Sequence, residues 1–540
     1  MTQNILFIMC DQLRYDYLGC TGHPSIRTPN IDRLAQRGVR FDQAYVQSPV
    51  CGPSRMSFYT GRYMRSHGSN WNMSPLRVGE MNIGDHLNPL GMRTVLCGKT
   101  HMAPDIKGME RLGIDPEGEI GARMSQCGFE LWDRLDGVHP PGGRRPSHYN
   151  DYLNEMGYDG TDPWEYWANA VEDEAGNEAS GWLLENARRP ARVKAEHSET
   201  AYSARRAQEF MATAGDQPWC LHLSFIKPHW PYVAPAPYHD MYSADDLIPP
   251  QRSPQERETP HPVFGAFQQH QHSQTFSQDG VRETVIPTYM GMITQIDDEI
   301  GKLLDWMTEA DLDQNTVIVF TADHGDYLGD HWLGEKELFH DPSVRIPLII
   351  VDPSDRADMT RGTVSDSLVE AIDLLPTFVE IAGGAPQSNI LEGRSLLGLI
   401  HGENPTDWRD VVFSEYDYSF VMARRILNQN LNDCRLQMVF DGRWKMIHAE
   451  GFRPMLFDLE NDPHELKDLG AEPDVAPQIA RLTARLLSWA TAHHNRVTYA
   501  DSDVIPHAGK EPDIGVLIGF WDETGIEKWH ANKPKDLGQV

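Results

Sequence analysis
Four apolar runs along the chain break off at residues that carry chemistry. Residues 4–10 (NILFIMC) run into Asp11-Gln12, and residues 94–98 (TVLCG) into Lys99 and His101. Residues 219–226 (WCLHLSFI) run into Lys227 and His229, and residues 316–322 (TVIVFTA) into Asp323-His324. Runs without polar alternation suit strands buried on both faces, as in a parallel sheet covered by helices. Helical stretches lie between them. One is predicted from Pro29 to Arg37, with Thr28 as its cap, Pro29 in its first turn and Gly38 as its stop. In an open α/β sheet, ligands bind beyond the carboxyl ends of the strands, so the polar residues after the runs are expected to gather in one place.

The pattern changes towards the C-terminus. Residues 434–440 and 443–449 flank Asp441-Gly442, a hairpin turn signal, and a third strand is predicted at 454–458. Residues 474–494 have the apolar spacing of an amphipathic helix. The expected fold is therefore α/β. A large mixed, mostly parallel sheet sandwiched by helices occupies residues 1–404. A smaller α+β subdomain of antiparallel sheet plus helix follows at 405–500, and a C-terminal arm at 501–540. Phe520, Trp521 and Trp529 in the arm are expected to pack on the body or on another subunit. The segment 250–280, rich in Gln, His, Ser and Pro, reads as a long loop with solvated histidines. That loop and the stretch 140–190 are where leaving-group specificity is expected to reside.

Charge narrows the function. The 540 residues carry 48 Lys+Arg against 79 Asp+Glu, a net charge of −31. A nucleic acid would be repelled, so a general nucleic-acid binder is excluded. A small anionic substrate remains open only where positive charge is concentrated locally. No apolar run approaches the roughly 18 residues of a membrane span. The opening Met1-Thr2-Gln3-Asn4 has no basic leader, and the seven cysteines are scattered without a C-x-x-C pair. A cytoplasmic protein with reduced thiols is expected, without a disulfide framework.

Three constellations carry the candidate chemistry. The first is Cys51-Gly52-Pro53-Ser54-Arg55, followed by Thr60-Gly61-Arg62. Pro53 suits a first helical turn, which puts Cys51 just before a helix N-terminus, where free N–H groups and the macrodipole favour an anion. Arg55 can fold back to the same spot with a planar donor pair. The second is Asp11-Gln12 with Asp323-His324. Two carboxylates, one amide oxygen and one imidazole at strand ends make a single-ion site. The third is basic: Arg55, Lys99, His101, His229 and Lys336, with Asn72 and Lys227 as additions. Each alone fits a solvated charge or a core histidine. Together, in an acidic protein, they mark where an anion would be compensated.

The C-x-P-S-R run with its T-G-R continuation resembles the signature of type I sulfatases and phosphonate monoester hydrolases of the alkaline phosphatase superfamily. The resemblance runs from Asn4 to about Arg496 and includes Leu456-Phe457-Asp458-Leu459-Glu460-Asn461-Asp462-Pro463. Tyr59 stands where the family usually has Leu. The resemblance implies that a maturation enzyme oxidises Cys51 to formylglycine, the nucleophile. It also implies that Asp11, Gln12, Asp323 and His324 hold one divalent ion together with residue 51. Gln12 and His324 match the phosphonate monoester hydrolase type; manganese or calcium is implied, with zinc as a further candidate. Lys99 and His101 are sulfatase-like, since phosphonate monoester hydrolases carry Tyr and Thr there. Asn72 and Lys227 are implied substrate contacts. Arg55, Lys99 and Lys336 would stabilise the equatorial oxygens, His229 would serve the leaving group, and His101 would take the proton that releases sulfate. The implied activity is hydrolysis of sulfate monoesters, arylsulfatase-like. The alternative is a phosphonate monoester hydrolase or phosphodiesterase with promiscuous sulfatase activity. Relatives of this type form homodimers or homotetramers through C-terminal arms.

Overall fold
The strand β1 (Asn4–Asp11) is buried at every position, as an unbroken apolar run requires when both faces are covered. It lies inside an eight-stranded sheet in the computed structural model, which describes residues 3–72, 74–137, 147–492, 496–504 and 510–532. The other strands are β2 (Val39–Phe41), β3 (Arg93–Gly98), β4 (Glu130–Arg134), β5 (Trp219–Pro228), β6 (Thr316–Ala322), β7 (Leu348–Val351) and β8 (Thr363–Ser365). Their order across the sheet is β8-β2-β7-β6-β1-β5-β3-β4. Only β7 is antiparallel to its neighbours, β6 and β2. The expected mixed, mostly parallel sheet is present. Cys10 pairs with Phe225 and Ala322, but Asp11 pairs with Pro228. The ladder slips at the first candidate ligand, and a slip of this kind re-aims a side chain at a strand end.

The helix α1 (Pro29–Arg37) has the predicted bounds, but Thr28 does not cap it. The Thr28 hydroxyl accepts the Gly19 N–H and donates to Asp32. The cap comes from Asp297, whose carboxylate accepts the N–H groups of Asn30 and Ile31. Asp297 belongs to the long, mostly buried α4 (Val281–Glu309), which packs beside α3 (Glu199–Thr213) and under the sheet. The helix α2 (Cys51–Thr60) has no exposed face. The segment 250–280 is not a long loop. It holds short helices at Gln255–Glu258, Pro262–Phe267 and Gln271–Phe276, because Val263, Phe264, Phe267 and Phe276 reach the core. Its histidines are not solvated: His261 and His270 are buried, and burial holds His272 down to about 4. Residues 140–146 of the other proposed specificity stretch lie outside the described residues; the rest of it carries a helix, His148–Glu155, and a two-stranded ribbon.

The C-terminal sheet is antiparallel: β9 (Val412–Asp417), β10 (Arg435–Phe440), β11 (Trp444–Ala449) and β12 (Met455–Asp458), backed by α5 (Ala476–Thr491). The hairpin at Asp441-Gly442 and the third strand match expectation, whereas β9 is an addition. Lys445 of β11, fully buried, bonds Asp341 at 2.6 Å, Glu465 at 2.7 Å and the Phe339 carbonyl at 3.2 Å. It ties this sheet to the segment just after Lys336. In the arm, the helix α6 (Glu523–Asn532) lets Trp529 meet Phe520 edge-on, but Trp521 is 96% exposed and Ile518 87%. Arm residues 505–509 and 533–540 lie outside the described residues. No described helix is long and apolar enough to cross a membrane.

The unusual Tyr59 has a partner. Its hydroxyl bonds His222 Nε2 at 2.9 Å, while His222 Nδ1 donates to the Phe7 carbonyl at 3.2 Å and the ring stacks on Phe7. Burial, helped by Arg55, pushes His222 down to about 3. The unfolded chain takes up this proton below about pH 6.5 and the folded chain does not, so folding free energy falls by up to about 1.4 kcal/mol per pH unit from this group as pH drops from 6.5 towards 3. In thermal melts, the stability difference between wild type and His222→Gln is expected to shrink over that window. A difference independent of pH would contradict the assignment.

Candidate metal centre and its cationic surround
The four strand ends converge as predicted, and α2 brings Cys51 to them. Among the described residues, one buried group offers ligand atoms from Asp11, Cys51, Asp323 and His324, all within 4.8 Å of one another. The Cys51 Sγ lies 3.0 Å from His324 Nε2 and 3.7 Å from Asp11 Oδ1. His324 Nε2 is 3.9 Å from Asp11 Oδ1 and 3.7 Å from Asp323 Oδ1. The His324 tautomer is set by its other nitrogen, which donates to the Gly325 carbonyl at 2.8 Å. In the neutral ring the Nε2 lone pair therefore faces the carboxylates, the arrangement of a metal-ligating imidazole. The donor set fits a divalent ion.

Cys51 opens α2 rather than preceding it. No side chain at position 50 caps the helix; Asn72 does so from a distance, its Oδ1 accepting the Gly52 N–H at 2.8 Å. A Cβ at position 52 would sit 2.9 Å from the Asn72 backbone, so glycine is needed for this approach. The Ser54 hydroxyl donates to the Asp323 carbonyl at 2.6 Å, locking the helix to the end of β6.

Arg55 commits four of its five N–H donors to the ligands and their supports. Its Nε donates to Asp323 Oδ2 at 2.8 Å and its Nη2 to Asp11 Oδ2 at 3.1 Å, while Nη1 reaches the Lys99 carbonyl and the Ser224 hydroxyl, both at 2.8 Å. An equatorial substrate contact was expected; the guanidinium is also a clamp, holding both carboxylates by their outer oxygens and leaving one Nη2 N–H. Lys99 Nζ is 2.5 Å from Asp11 Oδ2. Lys336 Nζ lies 2.9 Å from the Gln12 amide oxygen and 3.4 Å from Cys51 Sγ. Burial alone would raise the Cys51 thiol; Lys336, Lys99, His324 and a hydrogen bond with His101 outweigh it and hold the group well below the ordinary thiol range. Burial opposes protonation of His324, but Asp323 and Cys51 hold it up at about 8.

His229 completes one side. Its Nε2 is 3.9 Å from Asp11 Oδ1, its Nδ1 bonds the Trp230 carbonyl at 2.7 Å, and burial holds it down to about 4. Lys227 does not join the site. Its Nζ bonds the Pro231 carbonyl at 2.8 Å and lies 3.4 Å from Glu199 Oε1, so this predicted substrate contact shapes the turn that presents His229.

Several supporting residues went unread in the sequence. Asp136 accepts the Thr100 and His101 N–H groups, both at 3.0 Å, and holds the turn on which His101 sits with a φ of 57°. Gly98 enters that turn with a φ of 114°, and a Cβ there would lie 2.0 Å from the Ser224 carbonyl oxygen. Asp136 follows β4, whose partly exposed, polar sequence gives no strand signal. Asp326 orients Gln12: it accepts from the Gln12 amide at 2.5 Å, from the Tyr232 hydroxyl at 2.6 Å and from the Leu328 N–H at 3.0 Å. Its place three residues after Asp323 was the available signal. Gln12 itself has a φ of 66°, a left-handed conformation whose cost these contacts offset.

Comparison with known proteins agrees with this geometry. The sulfatase family profile matches residues 3–385, and the profile described as N-sulphoglucosamine sulphohydrolase, C-terminal, matches residues 329–492. The multifunctional alkaline phosphatase superfamily protein PehA of Trinickia caryophylli is 31% identical, covering 92% of this chain and 96% of that protein. The arylsulfatase of Clostridium perfringens is 28% identical over 87% of this chain and 90% of that one. The phosphonate monoester hydrolase SpPMH from Silicibacter pomeroyi superposes with a TM-score of 0.79 at 29% identity, covering 90% of this chain and 95% of that one. With the family profile spanning well over half its length and the ligand group assembled at the expected strand ends, the chain belongs to the sulfatase family of the alkaline phosphatase superfamily, a family of hydrolases.

Proposed function
We propose that the chain hydrolyses sulfate monoesters, in the manner of an arylsulfatase, through a formylglycine derived from Cys51. One observation carries the reading: Lys99 and Lys336 converge with His101 and His229 on the buried side chain of residue 51, in a protein of net charge −31. The family generally uses a metal ion and formylglycine. When present, an ion held by Asp11, Asp323, His324 and the Gln12 amide oxygen supplies Lewis-acid activation to the hydrated aldehyde at position 51. Manganese or calcium suits the oxygen-rich set, with zinc as a further candidate. Lys99 and Lys336 each have three ammonium donors, enough to hold a neighbouring carboxylate or amide and still meet substrate oxygens. Arg55 acts by positioning Asp11 and Asp323. His229 directs Nε2 at the site for the leaving oxygen. His101, which hydrogen-bonds the side chain of residue 51, is placed to accept a proton from it. Asn72 keeps its amide N–H groups for substrate while its oxygen caps α2.

A second reading, a phosphonate monoester hydrolase or phosphodiesterase with promiscuous sulfatase activity, is supported by Gln12 and His324 and by the likeness to SpPMH. Both substrate classes bring one negative charge. The test compares kcat/KM for an aryl sulfate, a phosphodiester and a phenylphosphonate monoester on one preparation. The aryl sulfate is expected to rank first; preference for either phosphorus ester by roughly tenfold, a difference of about 1.4 kcal/mol in transition-state binding, would move the assignment to the second reading. The partners that go with the proposal are a small anionic ester and a formylglycine-generating enzyme. A second or further copy of the chain, in a homodimer or homotetramer, would cover the arm's exposed Ile514, Ile518 and Trp521. Seven free cysteines, six of them buried, support a cytoplasmic setting.

A further inference from the structure
Resting on the reading of this site as a metal centre, we propose that the unmatured chain, with cysteine still at position 51, forms a closed zinc–thiolate site, and that conversion of Cys51 changes which ion the site prefers. The inward-facing donors are one thiol sulfur, one imidazole nitrogen that offers a lone pair in the neutral ring, and one oxygen from each of two carboxylates. Four of their six separations run from 3.0 Å (Cys51 Sγ to His324 Nε2) to 3.9 Å (His324 Nε2 to Asp11 Oδ1), and all six lie within 4.8 Å. Tetrahedral zinc, with bonds of about 2.0–2.1 Å to nitrogen and oxygen and about 2.3 Å to sulfur, sets neighbouring donors roughly 3.3–3.6 Å apart. Those four separations each differ from this spacing by about half an ångström or less.

The surroundings favour closure. The outer oxygens of Asp11 and Asp323 are already held by Lys99 and Arg55; the inner oxygen of Asp323 accepts the Gln12 N–H at 3.0 Å and keeps its second lone pair for the ion, beside the inner oxygen of Asp11. All four residues are buried, and with sulfur as the fourth ligand, while Lys336 holds the Gln12 amide oxygen at 2.9 Å, no position stays open, as in a structural rather than a catalytic zinc site. Thiolate is a soft ligand that selects zinc over calcium or manganese, whereas oxygen ligands do the reverse. Conversion of Cys51 removes both the soft ligand and one negative charge. With the ion itself set aside and His324 neutral as its ligand, three anions (Asp11, Asp323, thiolate) face three cations (Arg55, Lys99, Lys336) before conversion. Afterwards one cation is in excess, which suits an anionic ester. The other group with metal-ligand spacing, His270, His272 and Glu337, does not compete. His270 Nε2 accepts the Ala423 N–H at 3.0 Å, so its Nδ1, 3.4 Å from Glu337, carries the proton.

The experiment uses the full chain made in a host without the maturation enzyme, with the thiol at residue 51 confirmed by peptide mass. The protein is stripped of metal, titrated with Co2+ and then with Zn2+. One equivalent of Co2+ is expected to give a near-ultraviolet sulfur-to-cobalt charge-transfer band, discharged by one equivalent of Zn2+. Cys51→Ser and Cys51→Ala, checked for folding by melting curves, should lose the band. Their zinc affinity should fall roughly tenfold or more, with a smaller change for Mn2+. The matured protein should also lack the band. Cobalt bound without the band, or equal zinc affinity in the thiol form and Cys51→Ala, would overturn the proposal. If the matured protein binds Mn2+ while the thiol form binds no zinc, this proposal alone fails; if neither form binds any divalent ion, the metal-centre reading fails with it.

Discussion

Cys51→Ser is expected to release at most one leaving group per site and then to turn over at least about a thousandfold more slowly than the matured enzyme. A hydrated aldehyde offers two hydroxyls on one carbon; serine offers one. The serine Oγ of the variant can form its bond to sulfur as the bond to the leaving oxygen breaks, with His229 placed to serve that oxygen. The ester left on that serine then has no neighbouring hydroxyl for His101 to deprotonate, so it must await water in a site walled by Lys99, Lys336 and Arg55. Stopped-flow release of nitrophenol from a nitrophenyl sulfate would show the single burst. The fold should survive, because serine has nearly the size of cysteine and α2 is held by Asn72, Ser54 and Arg55 rather than by the thiol. Sustained multiple turnover by the serine variant would contradict the proposed role of residue 51.

Much of this arrangement could be read from the chain alone, for a physical reason. A strand buried on both faces must be apolar throughout, so its end shows as an abrupt polar break, and Asp11, Lys99, His229 and Asp323 each follow such a break. Cys51 was legible from Pro53 and Arg55, whose types suit a helix start. What could not be read is where a long side chain turns. Arg55 looked like a substrate contact, yet four of its donors meet Asp11, Asp323, Ser224 and a carbonyl. Lys227 follows its apolar run as Lys99 does, but Glu199 and the Pro231 carbonyl draw it away. Asp297 capping α1, and Asp136 bracing the His101 turn, are contacts between residues far apart in sequence, with no local periodicity to announce them. β9 was missed for a related reason: its pairing with β10 depends on partners 18 to 28 residues on, and no tight turn marks the connection.

The same clamp yields the largest expected effect on stability. Arg55→Met leaves the outer oxygens of Asp11 and Asp323 facing an apolar side chain at a site with no solvent exposure on either partner. Removing one partner of a buried ion pair costs about 3–5 kcal/mol, because the other charge is stranded. Burial already raises the Asp323 carboxyl above its ordinary range, with Arg55 opposing that shift. Without Arg55 the carboxyl rises further, and the folded variant binds a proton that the unfolded chain, with an ordinary carboxyl, does not. A group whose folded-state value is raised gains stability as pH falls through that value. The stability gap between wild type and Arg55→Met, measured by urea unfolding in chelator, should therefore narrow from pH 8 to pH 5, while acid effects common to both proteins cancel. Arg55→Lys separates charge from geometry. A single ammonium can pair one carboxylate but cannot fork to both, so it should recover part of the stability and little of kcat/KM. A gap that stays constant with pH, or full activity in Arg55→Lys, would mean that the two carboxylates are not held by this guanidinium.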